Sequence, residues 1–226
     1  MPITANNQSA IHIGQIVQDA TVFDFKNWRG KAAADISSMQ SLLTDVSELF
    51  ALLHSRKVDY LLVGGIAMLQ YIEGRNTKDI DLIVASQDLE RLPEIEIKTR
   101  DDDFAQGNFR NLPVDFLLTR NQLFEKVKRH YATSQPFVEQ TIPCATVEGL
   151  LLLKLYALPA LYRMGNFPRV GLYENDVATL FQAYHPKTEP LFSELSQHLS
   201  ESDLISVRDI VKEIENRLKR FENRLD

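Results

Sequence analysis

Two aspartates stand two residues apart where an apolar run begins. Asp79 and Asp81 flank Ile80, and the apolar residues 82–84 follow. Successive side chains of a β-strand point to opposite faces, so the two carboxylates would share one face. At a rise of about 3.3 Å per residue, their Cα atoms would lie about 6.6 Å apart. Two flexible acids at that separation can close on one divalent cation, which would offset the repulsion between them.

A glycine pair and a third acid complete this pattern. Gly64 and Gly65 directly follow the apolar run 60–63. Glycine lets the backbone approach a ligand closely, and the start of a following helix would offer free N–H groups to phosphate. Asp115 interrupts the apolar run 112–118, where a carboxylate is otherwise rare. Three carboxylates on adjacent strands beside a phosphate-binding turn predict a two-metal site, in which Mg²⁺ activates an attacking hydroxyl and stabilises the leaving oxygen.

Lys154 and Asp176 are two further candidates from the later part of the chain. Leucines surround Lys154 in the segment 150–158, so its helix is apolar nearly all round and its ammonium needs an anion. A nucleotide phosphate would serve. Asp176 lies at the margin of an apolar helical stripe, and the two residues could face a cleft from the helical side. Alternatively, they form a structural salt bridge with each other.

The other features also have structural interpretations. Asp79 and Asp81 could be a capping or loop pair at a strand edge, and Asp115 could form a buried ion pair with Arg75 or Arg110. Arg75 and Lys78 could be solvated side chains, and residues 101–103 could form a solvated turn. A basic cluster on the predicted helix 121–131 could be a solvated helix face or could contact RNA; it consists of Lys126, Lys128, Arg129 and His130. Cys144 is expected to be a packed small hydrophobe.

The apolar periodicity predicts an α+β fold, with an α/β N-terminal part and a helical C-terminal part. Strands are predicted at 60–63, 79–84, 94–98, 104–110 and 114–119, with a tight connection at 111–113 and an extended stretch at 137–145. Helices are predicted at 35–57, 66–72, 87–91, 121–131, from 147 onward, and at 172–184, 191–199 and 204–225. We therefore expect three parts: an N-terminal arm (1–34), a core domain (35–120) and a mainly helical C-terminal domain (121–226).

Composition excludes several classes of protein. The net charge of −6 argues against binding to nucleic acid through bulk charge. The single cysteine excludes an internal disulfide and fits a reducing cytoplasm. The first residues lack the pattern of a signal peptide, and the longest apolar run is interrupted by Lys154 and Pro159. We expect a cytoplasmic protein that does not associate with a membrane.

Residues 58–120 resemble the nucleotidyltransferase superfamily typified by DNA polymerase beta. The matching residues are Val63-Gly64-Gly65, Asp79-Ile80-Asp81 and Asp115. The resemblance implies a mixed sheet with flanking helices. It also implies that the glycine turn holds the triphosphate of an NTP, and that Asp79, Asp81 and Asp115 hold two Mg²⁺ ions.

A narrower resemblance extends to about residue 184. Residues 74–82 resemble the Arg-x-Thr-x-Asp-x-Asp segment of AbiEii-type nucleotidyltransferases, the toxins of type IV toxin–antitoxin systems. That group carries a Lys on a later helix and an Asp on the next one, which correspond here to Lys154 and Asp176. Asn175 stands where family members often have a Lys.

The resemblance implies transfer of an NMP from an NTP to an acceptor hydroxyl with release of pyrophosphate. Asp79 and Asp81 would bind both metals, and Asp115 would complete the metal that activates the nucleophile. The nucleotide would contact Gly64, Gly65, Arg75, Thr77 and Lys154. Asp176 would orient either Lys154 or the acceptor.

The acceptor implied by the narrower resemblance is tRNA or another RNA, and the implied partner is a cognate antitoxin protein. Two other interpretations stay open. A small-molecule or protein nucleotidyltransferase would use the same chemistry on another acceptor. A catalytically silent binding module would keep the fold without the reaction.

Overall fold

The computed structural model describes residues 35–72, 77, 79–137 and 140–222. The predicted N-terminal arm, Arg75 and Lys78 lie outside these residues. The described chain starts with helix α1 (Asp35–Ser55), strand β1 (Tyr60–Val63), the short helix α2 (Gly64–Met68) and strand β2 (Ile80–Val84). A 3₁₀ helix (Ser86–Arg91) leads to strands β3 (Ile95–Arg100), β4 (Phe104–Phe109) and β5 (Leu112–Leu118).

The second half begins with helix α3 (Gln122–His130) and the strands β6 (Ala132–Phe137) and β7 (Gln140–Ala145). Four helices follow: α4 (Val147–Arg163), α5 (Phe167–Tyr184), α6 (Thr188–Leu195) and α7 (Glu201–Glu222). No helix among the described residues is long and apolar enough to cross a membrane.

The described strands form a seven-stranded mixed sheet in the order β3-β4-β5-β2-β1-β7-β6. The pairs β2–β5 and β1–β7 are parallel, and the other neighbouring pairs are antiparallel. Helices flank this sheet and continue beyond it, which confirms the predicted α+β fold class. The functional-site candidates of β1, β2 and β5 therefore come from three adjacent strands.

Helix α4 is the centre of the helical part. It contacts α2, α3, α5, α6 and α7 as well as β7. Its side chains Leu151, Leu152, Leu155 and Leu158 are fully buried, and each such leucine contributes roughly 1.5–3 kcal/mol relative to an exposed one. Because α4 contacts both α2, which begins at Gly64, and the last helices, it holds the C-terminal helices against the sheet.

Two connections differ from the sequence-based prediction. The β4–β5 turn occupies residues 110–111 instead of 111–113, and Arg110 takes the positive φ of 55° that a two-residue hairpin favours. The extended stretch at 137–145 is the second strand of a hairpin, which joins the sheet where Cys144 pairs with Leu62. Cys144 is fully buried, as expected, and burial raises its pKa to about 12.

Helix starts are the other difference. Helix α2 begins at Gly64 itself and ends at Met68, so the predicted helix at 66–72 is displaced towards the glycines. Helix α5 begins five residues before its predicted start. The side chain of Asn166 accepts a hydrogen bond from the Arg169 amide, and Pro168 suits the first turn of a helix.

Candidate active site

The register of the central strands lines up two of the acids. Val63 at the end of β1 pairs with Asp81 in β2, and Asp81 pairs with Asp115 in β5. Directly opposite residues of paired strands project from the same face of the sheet. Asp79 lies in a bend just before β2 instead of inside the strand. Asp79 therefore joins the other two acids from outside the sheet.

The three carboxylates converge on one point. Asp79, Asp81 and Asp115 each offer one oxygen, and these oxygens lie within 4.8 Å of one another. All three side chains are half-buried. Carboxylate oxygens at such separations are the donors that hard divalent cations prefer. The donor set thus fits Mg²⁺.

Each carboxylate also accepts a hydrogen bond that fixes its orientation. The donors are Thr77 Oγ1 to Asp79 Oδ1 (2.6 Å), the Gly65 amide to Asp81 Oδ2 (3.2 Å) and Gln106 Nε2 to Asp115 Oδ1 (3.1 Å). Gln106 is the β4 residue that pairs with Asp115. Sequence reasoning missed Gln106, because only the strand register brings it beside Asp115.

Desolvation and mutual repulsion disfavour the charged forms of these acids. Burial, followed by the charge of Asp79, raises the pKa of Asp81 to about 7, although the Gly65 amide and Lys154 act in the opposite direction. Burial and the charge of Asp79 also raise the pKa of Asp115. A divalent cation among the oxygens would remove this penalty. The electrostatics therefore agree with the geometry.

The carboxylate of Asp81 leaves no room for a side chain at position 64. Gly64 has a φ of +65°, and a Cβ built on it would lie 1.8 Å from Asp81 Oδ2. No side chain can occupy that space. Gly64, which the sequence analysis assigned to phosphate binding, is thus required by the carboxylate of Asp81 that packs against it.

Lys154 and Asp176 form the salt bridge that the structural interpretation anticipated. The distance from Lys154 Nζ to Asp176 Oδ2 is 2.6 Å, and their side chains are only 5% and 1% exposed. The ammonium also lies 4.3 Å from the centre of the Tyr173 ring. Lys154 nevertheless lines the same cleft as Asp81. The pair therefore links α4 and α5, with Lys154 in the wall of the cleft.

A cleft of about 610 Å³ joins these groups. Gly64, Asp81 and Asp115 line its sheet side, and Lys154, Tyr156 and Arg169 line its helical side. A cleft of this volume is in the range that accommodates nucleotide-sized ligands. Sequence reasoning missed Arg169, which stands in the first turn of α5.

The alternative ion pair for Asp115 with Arg110 is wrong. Arg110 Nη1 contacts Asp45 Oδ1 at 3.1 Å, and Nη2 contacts Glu48. The other alternative partner, Arg75, lies outside the described residues. Asp115 is therefore free of Arg110 and faces the cleft.

The cations of α3 and the acids of the 101–103 turn form local contacts. In helix α3, Lys126, Lys128 and Arg129 pair with Glu194, Asp59 and Glu125, respectively. Asp101 Oδ1 accepts hydrogen bonds from the amides of Asp103 and Phe104, as expected for a turn. The basic cluster of α3 is thus largely neutralised within the fold.

Comparison with known proteins gives matches among solved structures alone. No protein-family model matches the chain, and neither does any curated protein sequence. An antigenic nucleotidyltransferase-like protein from Paracoccidioides brasiliensis matches with a TM-score of 0.53 and 18% identity, over 79% of this chain and 92% of that one. ANT(2'')-Ia in complex with adenylyl-2''-tobramycin matches with a TM-score of 0.51 and 10% identity, over 75% of this chain and 98% of that one. The chain therefore has the fold of nucleotidyltransferases.

Proposed function

We propose that this protein is a Mg²⁺-dependent nucleotidyltransferase that moves an NMP from an NTP to an acceptor hydroxyl. The observation that carries the proposal is the convergence of Asp79, Asp81 and Asp115, with one oxygen of each within 4.8 Å of the others, in a nucleotidyltransferase fold. A silent binding module would have no need for three half-buried acids that repel one another.

Asp79, Asp81 and Asp115 would hold two Mg²⁺ ions, which supply activation of the acceptor hydroxyl and stabilisation of the leaving pyrophosphate. Asp79 and Asp81 would be shared between the ions, and Asp115 would serve the acceptor side. The hydrogen bonds from Thr77, Gly65 and Gln106 would keep the oxygens in place before the ions arrive.

The nucleotide would lie between the glycine turn and helix α4. The backbone at Gly64 and Gly65 would accommodate the triphosphate, with Arg75 and Thr77 contributing from the segment before β2. Lys154 would contact phosphate from the opposite wall while bonded to Asp176. Asp176 would then act by orienting the ammonium.

Two acceptor classes have support from different observations. The resemblance of residues 74–82 to AbiEii-type toxins supports tRNA or another RNA as acceptor, with a cognate antitoxin as partner. The local pairing of the α3 cations and the size of the cleft support a small-molecule acceptor. ANT(2'')-Ia, a fold relative, has been solved with adenylyl-2''-tobramycin.

The test is transfer of label from each of the four α-labelled NTPs in Mg²⁺, with total tRNA or a small-molecule cell extract as acceptor. Asp79→Asn and Asp81→Asn should abolish transfer. Asp102→Asn is the matched control, because Asp102 is an exposed acid paired with Arg120 outside the cleft. Label in RNA would support the toxin proposal, and label in the extract would support the small-molecule acceptor. No transfer by the unmutated protein would contradict the proposed function.

A further inference from the structure

Among the described residues, three arginine or lysine side chains line the cleft: Lys154, Arg163 and Arg169. Two of them are already paired with acids. Lys154 contacts Asp176 at 2.6 Å, and Arg163 contacts Asp203 at the cleft rim. Arg169 has no ion-pair partner within the described part of the chain and is exposed. Its charge is therefore available to a ligand.

The position of Arg169 in the helix is electrostatically unfavourable for the fold itself. It stands in the first turn of α5, which contains no acidic residue. The N-terminal end of a helix carries partial positive charge, so a cation there is disfavoured. The backbone amide of Arg169 is fixed by the Asn166 cap, which holds the residue at the cleft. Helix stability does not account for this arginine.

The charge of Arg169 acts on the acid cluster. Arg169 lines the same cleft as Asp115, and its positive charge acts on that carboxylate. Two divalent cations would more than neutralise three carboxylates. In the metal-loaded site, the acids would therefore no longer need Arg169 as a counter-ion.

We propose that Arg169 binds phosphoryl oxygens at the Asp115 end of the cleft. The guanidinium group matches phosphate geometry through paired N–H donors, which an ammonium cannot do. This inference rests on the proposed function and adds a substrate-binding residue to it. The phosphoryl group would belong either to the NTP or to a phosphate of an RNA acceptor.

The test uses two probes on the full chain. The first is the set of α,β-methylene analogues of the four NTPs, which cannot undergo transfer, titrated calorimetrically in Mg²⁺. The second is bulk tRNA, followed by fluorescence anisotropy. Arg169→Ala should weaken binding of one of these probes about tenfold or more, and Arg169→Lys should restore part of the affinity. Arg120→Ala is the matched control, since Arg120 is an exposed arginine outside the cleft whose charge is already countered by Asp102, and it should change affinity less than twofold.

The two arms separate the sources of phosphate. Weaker binding of the nucleotide analogue assigns Arg169 to the triphosphate, and weaker binding of tRNA alone assigns it to the acceptor. Unchanged affinity of Arg169→Ala for both probes would overturn the inference. A Mn²⁺ titration of the same variant is the third measurement. Tighter Mn²⁺ binding as the only effect would also overturn the inference, because Arg169 would then be a counter-ion of the acids. If the unmutated protein binds neither probe, the proposed function fails first and the inference fails with it.

Discussion

The carboxylate of Asp81 packs directly against the α-carbon of Gly64. A Cβ at Gly64 would lie 1.8 Å from Asp81 Oδ2 and 2.2 Å from its Cγ. The next amide, that of Gly65, donates to the same carboxylate oxygen at 3.2 Å. The junction between β1 and α2 and the acid of β2 are thus one structural unit, and a change in either should disturb the other.

Gly64→Ala should destabilise the protein and displace Asp81. The left-handed backbone at this position costs an alanine roughly 1–2 kcal/mol, and the steric overlap adds about 1–3 kcal/mol. We expect a loss of at least about 2 kcal/mol in urea unfolding, together with loss of Mn²⁺ binding. Gly171→Ala is the control, because Gly171 lies in α5 with nothing within 4 Å of an added Cβ. That variant should gain up to about 1 kcal/mol. Equal stabilities for the two variants would refute the steric explanation.

Asp81 should make the metal-free protein less stable as pH rises. Its pKa is about 7 in the folded state against 3.8 as the ordinary value, so the folded state binds more protons between these limits. The contribution of Asp81 to the free energy of unfolding is fully present below about pH 4 and is lost as the pH rises through about 7. In EDTA, Asp81→Asn should remove this loss and exceed the wild type by on the order of 2 kcal/mol at pH 8. Parallel pH profiles of unfolding for the two proteins would show that Asp81 is not the cause.

The Lys154–Asp176 pair should behave as a buried ion pair that also serves the cleft. Lys154→Met or Asp176→Asn alone should cost about 3–5 kcal/mol, because each leaves a buried charge without its partner. The double variant Lys154→Met, Asp176→Leu should recover most of that stability. It should not recover nucleotidyl transfer, since the ammonium that faces Asp81 is gone. A double variant that regains both properties would show that the pair is structural only.

Gln106 should act as a positioning residue for Asp115. Gln106→Ala removes the 3.1 Å hydrogen bond to Asp115, and loss of such a support typically lowers metal affinity by about tenfold or more. Mn²⁺ titration followed by electron paramagnetic resonance measures this effect. Thr99→Ala on the neighbouring strand β3 is the control, because Thr99 contacts Gln106 and not the acid. Similar Mn²⁺ affinities for Gln106→Ala and the wild type would exclude this role.

The strands that carry the site could be predicted from the sequence, because a short apolar run specifies each of them. Gly64-Gly65 ends a buried strand as predicted, and the apolar runs around Asp81 and Asp115 are strands of the sheet. The convergence of the acids was predictable because each lies beside or inside an apolar strand that must be buried. The predicted roles of Asp79, Asp81, Asp115, Lys154 and Asp176 in catalysis stay predictions.

Long-range pairing was not predictable in the same way. The hairpin β6–β7 joins β1 through Leu62 and Cys144, which are far apart in sequence, and no local pattern specifies that contact. Gln106 and Arg169 reach the acids only through strand register and helix packing. An exposed glutamine and an exposed arginine have no distinguishing signal in one sequence. The structure was needed to find them.

The most direct test is a crystal structure of the protein with Mn²⁺ and an α,β-methylene NTP analogue, with anomalous diffraction data recorded at the manganese edge. We expect manganese density coordinated by oxygens of Asp79, Asp81 and Asp115, with the triphosphate against Gly64 and Gly65. Manganese bound elsewhere, or a nucleotide that lies outside the cleft, would contradict the proposed nucleotidyltransferase site.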